Sequence, residues 1–296
     1  MSLRTKSLLY TLTSVVALLV AFSAVLRWVV VGGFKASEES STARRVEELE
    51  SLVGTVLTEF GQRFEDWSSW DAVSDFSATS DPEFVKENVS YDSLKVTLNV
   101  QFMAIVRSDG TVVLGAWCES DRPELGPLPK ELQSEVVPGG LLAKGLAESG
   151  PAYDGVLMIA GKPYSVTSRP VLRTDKTKPA MAARFIVGRA MDGAWVERLE
   201  RFSFTKLSLT PSKEQPAPES TSTQGRSALA QGARIAIVPQ ENEVHGFVAL
   251  ADLRGDPAVV LEVTRPRDLS HHSEATLNQS TATSAIAGLL LVEALA

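Results

Sequence analysis

Hydrophobic residues run uninterrupted by charge from Leu8 to Leu26 (LLYTLTSVVALLVAFSAVL), resume after Arg27 with Trp28-Val29-Val30-Val31, and stop at Lys35. A helix of that length crosses a hydrocarbon core of about 30 Å. Arg4 and Lys6 precede the run, Trp28 suits an interfacial belt, and Arg27 is placed to snorkel out of the bilayer end. The pattern predicts a cytoplasmic segment 1–7 and an uncleaved signal-anchor over 8–34. A small-x-small cleavage site exists at Ala21-Phe22-Ser23. However, the apolar run is longer than a signal-peptide core and continues past that site.

From Ser37 to Phe76 the pattern changes to amphipathic. Val46, Leu49, Val53, Val56, Phe60, Phe64, Trp67 and Trp70 recur three or four residues apart, with charged residues between them and no proline. That spacing predicts one long helix with a single apolar stripe. The stripe pairs with its twin in a homodimer or packs on its own domain; the latter holds at least over Phe64–Phe76, and both can be true along one helix.

Beyond Pro82 the pattern alternates between short helical and β-type runs. Glu83–Val89 reads as a helix. Phe102–Val106 and Thr111–Ala116 flank Ser108-Asp109-Gly110, a strong hairpin signal. Leu128–Glu135 and Gly139–Ser149 are helical candidates separated by Pro138. Gly155–Ala160, Lys162–Leu172 and Met181–Met191 read as three strands, broken by Gly161-Lys162 and the charged loop Arg173–Pro179. Asp192 is an N-cap for a helix over Gly193–Phe204. Segment 211–226 is rich in proline and serine and reads as a flexible linker or insertion. Val244–Leu250 and Ala258–Thr264 close the list of strands. The fold class is therefore α+β: one transmembrane helix, a long N-terminal helix, and an antiparallel sheet with helices, forming one sensor-sized domain over 35–281. The apolar tail within 282–296 is too short to span a bilayer by itself. It reads either as a buried terminal helix or as the start of a second, truncated transmembrane helix.

Composition narrows the function. The net charge is -7, which argues against nucleic acid as a partner. One cysteine, Cys118, excludes an internal disulfide and a thiolate metal cage, and three histidines supply no metal-binding pattern. Ser203-Phe204-Thr205-Lys206 fits S-x-x-K with both residues on one helical face, but the partner motifs of that serine chemistry are missing. No phosphate-binding loop, nucleophile elbow or zinc-protease motif occurs. The residues point to no enzyme, catalytic residue, cofactor or metal.

The tract that carries chemistry is Asp66-Trp67-Ser68-Ser69-Trp70-Asp71. On a helix, Trp67 shares a face with Trp70 and with Asp71. Two aromatic planes beside carboxylates can frame a cationic or amphipathic ligand. The same residues equally serve as core packing and caps.

With these parts in order, the chain resembles the class-four CHASE domain, an extracellular sensory module of bacterial and archaeal receptors. Asp66–Asp71, ending in Phe76, is similar to the family's D-W-A-x-W-D motif. Asn88–Leu98 followed by Met103–Gly110 is similar to its N…L…D-G stretch. Lys162–Leu172 with Ser168-Arg169-Pro170, Phe185–Asp192 (FIVGRAMD), and Val263–Arg267 resemble its later strands. Ala72, Val73 and Ser74 depart from the acidic residue and Thr–Tyr pair usual after the W-D. The resemblance implies a PAS- or Cache-like ectodomain in the bacterial inner membrane, facing the periplasm, that binds an unidentified small molecule. The signal would pass through helices to an output module or membrane signalling partner outside this chain. On this reading Trp67, Trp70 and Asp71 lie at the ligand site, with Arg169 and Arg189 as anion contacts unless they pair with Asp66 or Asp71. The alternative is a membrane-anchored, dimeric protein-interaction module with no small-molecule ligand.

Overall fold

One helix, α1 (Leu3–Gln62), carries the chain from its apolar run onto two separate β-sheets. This computed structural model describes residues 3–119, 123–143, 150–176, 181–214, 216–218 and 220–267. The tail 282–296, with both readings made of it, lies outside the described residues. At 60 residues, α1 is about 90 Å long. It contains a stretch long and apolar enough to cross a membrane. Along the apolar run Tyr10, Leu18, Phe22, Val25, Trp28 and Val29 all stand exposed.

Further along, the amphipathic stripe is used within the chain. Val46, Leu49 and Val53 are buried with Val248, Leu261 and Val263, while Phe60 and Phe64 are buried with Phe185 and Val187. Burying each such side chain stabilises by about 1.5–3 kcal/mol. At these positions the stripe packs on its own domain, one of the two uses expected of it. The single helix expected to run to Phe76 is interrupted. After α1 come α2 (Glu65–Ser68) and α3 (Asp71–Thr79), with Trp70 extended between them. The Ser68 carbonyl leaves the helical ladder and accepts from Leu172 N at 2.8 Å. A tertiary bond has replaced a helical one.

The first sheet has strand order β3-β2-β1-β6-β5-β4. It contains β1 (Phe102–Arg107), β2 (Val112–Cys118), β3 (Leu125–Gly126), β4 (Tyr153–Ile159), β5 (Lys162–Pro170) and β6 (Ala183–Ala190). The Asp-Gly turn forms as its chemistry demands: Asp109 Oδ1 accepts from Thr111 N at 2.8 Å, and Gly110 has φ +89. One sheet face, with Met103, Ile105, Phe185 and Val187, packs under the end of α1, α3 and α4 (Pro82–Asn88). The other face, with Ala104, Val166 and Ile186, packs on α5 (Lys130–Val136). The helix expected over Gly139–Ser149 is a turn as far as residue 143, and 144–149 lie outside the described residues.

Asp192 caps α6 (Gly193–Ser203) by accepting from Trp195 N at 3.1 Å. A second sheet follows, β7-β10-β9-β8, from β7 (Lys206–Pro211), β8 (Ile235–Pro239), β9 (Glu243–Ala251) and β10 (Pro257–Pro266). The expected single sheet is thus two. Segment 211–226 is not wholly a linker either, because it enters α7 (Thr221–Ala230). Ser220 caps that helix, and Arg226 ties it down by donating to the carbonyls of Pro211, Ser212 and Glu214. The Ser203–Lys206 helical face does not exist: α6 ends at Ser203, Phe204 turns left-handed, and Lys206 opens β7.

Candidate functional site

The tryptophan tract lies where α2, α3 and the β5–β6 loop converge. Trp67 points inward and stacks on Phe185, with ring centroids 6.2 Å apart and 23° between planes. Trp70, extended at the N-cap of α3, meets Trp67 edge-on at 5.8 Å and remains 40% exposed. Between these rings and the loop is a cleft of about 520 Å³, lined by Asp66, Trp67, Ser69, Trp70, Thr174 and Lys176. That volume lies within the range of small-molecule sites.

The polar groups around the cleft have different commitments. Asp71 Oδ1 accepts from Thr174 N at 3.0 Å and pairs with Arg173 Nε at 3.4 Å, so it fastens the loop instead of facing the cleft. Arg173 also reaches Asp75 at 3.1 Å, and these two carboxylates hold its guanidinium proton more firmly than usual. Lys176 Nζ bridges Ser69 Oγ at 3.1 Å and Glu65 Oε1 at 3.4 Å. Asp66 lines the cleft and has no ion pair among the described residues. The arrangement offers an aromatic wall, one uncommitted carboxylate and one ammonium, a set suited to a small amphipathic molecule.

Arg169 and Arg189 do not line this cleft. Both lie on the face of the first sheet that packs under α1, on neighbouring strands. Arg169 is opposite Phe185 in register, and Arg189 is opposite Ser165. Arg169 Nη2 pairs with Asp154 Oδ2 at 3.3 Å, not with Asp66 or Asp71. Arg189 lies over the Phe60 ring, 5.3 Å from Cζ to the centroid. Its pKa is pulled down to about 10 by burial first, then by the charges of Arg198 and Arg63. The tract's two halves are thus brought together, while the two arginines belong to a separate polar seam.

Sequence reasoning missed the loop wall. Thr174 and Lys176 were visible only as part of a charged turn, and nothing local in that turn pairs it with Ser69 across the fold. It also missed Arg184, which is fully buried and bonded to Ser168 Oγ at 2.7 Å and Pro151 O at 2.8 Å. Among the described residues, no group of three or more His, Cys, Asp or Glu is placed to hold a metal ion.

Comparison with known proteins agrees with this architecture. The sequence profile of the CHASE4 domain matches residues 55–210. The methanogenesis regulatory histidine kinase FilI of Methanothrix harundinacea (strain 6Ac) is 24% identical over 98% of this chain, which spans 32% of that kinase's length. The extracellular domain of the histidine kinase vpHK1S-Z8 superposes with a TM-score of 0.51 at 7% identity, covering 82% of this chain and 96% of that domain. A domain of a sensory box/GGDEF family protein from Vibrio parahaemolyticus superposes equally, with a TM-score of 0.51 at 8% identity over 80% of this chain and 98% of that one. With more than half of its length matched by the family profile, the chain belongs to the CHASE4 family of sensory domains.

Proposed function

We propose that this chain is the ligand-sensing ectodomain of a membrane-anchored receptor, with its small-molecule site in the cleft at Trp67 and Trp70. The observation that carries this reading is the connectivity of the cleft. Trp67 stands on α2, just after the helix that runs from the apolar segment, and Trp70 follows it, so a ligand against the two rings acts on the last turn of α1. The apolar run of α1 serves as the anchor, with the domain on the periplasmic or outer side of a cytoplasmic membrane. The signal leaves towards an output module outside this chain. No step in this scheme is catalytic.

A homodimer of this receptor would use the polar outer face of α1, where Ser51, Thr55 and Thr58 are exposed. The alternative, a protein-contact module without a small-molecule ligand, has its own support. Phe202 and Phe204 are 69% and 94% exposed, and Phe204 borders a second cleft with Arg44, Arg45 and Arg265.

The test is a thermal-shift and tryptophan-fluorescence screen of the full chain in detergent against amphipathic cations, zwitterions and anions. A class that raises the melting midpoint and perturbs fluorescence supports the site if Trp70→Ala, a half-exposed position, abolishes the response and still folds. Failure of every class, together with a stable heteromeric crosslink through Phe202 or Phe204 in membranes, would replace this reading with the protein-contact one.

A further inference from the structure

The polar seam under α1 contains an uncompensated cation. Arg189 is 8% exposed, its Nε has no hydrogen-bond partner among the described residues, and its guanidinium lies over the face of Phe60. The charged groups acting on it are Arg198 and Arg63, both cationic, and Asp192. Asp192 is already engaged in capping α6. Across β5 and β6, Ser165 stands directly opposite Arg189, 1% exposed; its Oγ and that of Thr167, two residues along the same face and also buried, have no partner among the described residues. Leaving a guanidinium buried without a counter-charge costs several kcal/mol. At neutral pH this group stays charged.

We propose that Arg189, with Ser165 beside it and Arg63 and Arg198 flanking it, forms a site for a small oxyanion at the junction of α1, β6 and α6. The occupant is a planar or tetrahedral anion with adjacent acceptor oxygens, carried either by a small organic carboxylate or by inorganic phosphate or sulfate. The planar fork of an arginine donates to two such oxygens at once, and the serine hydroxyl supplies a further donor. The site is distinct from the tryptophan cleft, which none of these three arginines lines. It lies where α1, with Phe60 and with Arg63 just past its end, meets β6 through Arg189 and α6 through Arg198. An anion held there sets how the end of α1 seats on the first sheet. Only that consequence rests on the receptor reading; the binding itself does not.

The experiment is thermal unfolding of the full chain in detergent, titrated with sodium acetate, phosphate or sulfate against sodium chloride at matched ionic strength. The expected result is a saturable rise in the melting midpoint with at least one oxyanion and none with chloride; acetate alone identifies a carboxylate site, phosphate or sulfate an inorganic one. Arg189→Met abolishes the rise, and Arg63→Gln or Arg198→Gln weakens the apparent Kd by about tenfold, as expected for loss of one charged contact. If Arg189→Met does not fold, the two flanking variants at less buried positions decide. The inference is overturned if no oxyanion outperforms chloride, or if the titration is unchanged in these variants. Trp70→Ala separates the two sites, because it removes the response to a cleft ligand and leaves the anion response intact.

Discussion

Glu38 of α1 and Arg267, the residue after β10, form a buried ion pair, Nε to Oε2 at 3.1 Å, with side chains 7% and 8% exposed. Arg267 also donates to the Gln240 carbonyl at 2.7 Å and from its backbone N–H to Asn242 at 2.9 Å. The strand that leaves the second sheet is thereby fastened to the helix that enters it. In a receptor this is where relative movement of the incoming and outgoing segments is restrained. Glu38→Ala leaves a buried guanidinium without its carboxylate and is expected to destabilise by about 3–5 kcal/mol. Urea unfolding of the full chain checks this. The Glu38→Ala/Arg267→Ala double variant is expected to lose less than the sum of the singles.

At Gly61, α1 comes close to β4 of the first sheet. A Cβ there would overlap the carboxylate of Asp154, which is itself held by Arg169. Gly61→Ala is therefore expected to lift the helix end or break the Asp154–Arg169 pair, at a cost of about 1–3 kcal/mol. Gly54, two turns earlier, has nothing within 4 Å of such a Cβ. Gly54→Ala is expected to stabilise by up to about 1 kcal/mol through helix propensity alone. Opposite shifts of the two melting midpoints are the readout, and two shifts of the same sign would refute the seating described.

The β1–β2 turn carries a defined acid dependence. Asp109 has its carboxyl pKa held below the ordinary 3.8, chiefly by hydrogen bonds from Thr111. The folded pKa is below the unfolded one, so the stabilisation is fully present above 3.8 and is lost as pH falls through the folded value. Asp109→Asn is expected to flatten the acid limb of the stability profile. Melting midpoints measured in buffers on either side of 3.8 test this.

Cys118 ends β2 wholly buried, with Sγ 3.8 Å from the Val100 carbonyl. Burial pushes its thiol pKa up, which lowers the thiolate fraction that alkylating reagents need. Iodoacetamide is expected to leave the native chain unmodified and to label it stoichiometrically in denaturant, as read by intact mass. Labelling of the native chain would show that β2 opens locally.

Much of this molecule is legible from local chemistry. The β1–β2 hairpin follows from Asp109-Gly110, the start of α6 from Asp192, and the β4–β5 turn from Gly161, because each of these signals acts within a few residues. The strands of the first sheet follow from alternating and β-branched runs. The aromatic half of the candidate site was legible for a similar reason: Trp67 and Trp70 are neighbours in sequence before they are neighbours in space. Where local signal and outcome parted, a distant group decided. The helix breaks near Trp70 because the Ser68 carbonyl bonds Leu172, and α7 forms in a proline- and serine-rich segment because Arg226 anchors it to the carbonyls that precede it.

By itself the sequence determined that α1 has one apolar stripe, that the chain alternates short strands with helices, and that its apolar run is long enough to cross a bilayer. A stripe is only a surface that must leave water, and periodicity does not say what covers it. The tertiary structure decided that: Val46, Leu49 and Val53 went to the second sheet, and Phe60 and Phe64 to the first. It likewise decided the fate of the two arginines. Arg169 and Arg189 come onto one face only when β5 and β6 pair in register, four positions apart along it. Both are buried there, and what separates them is the partner: an ion pair with Asp154 for Arg169 and none among the described residues for Arg189.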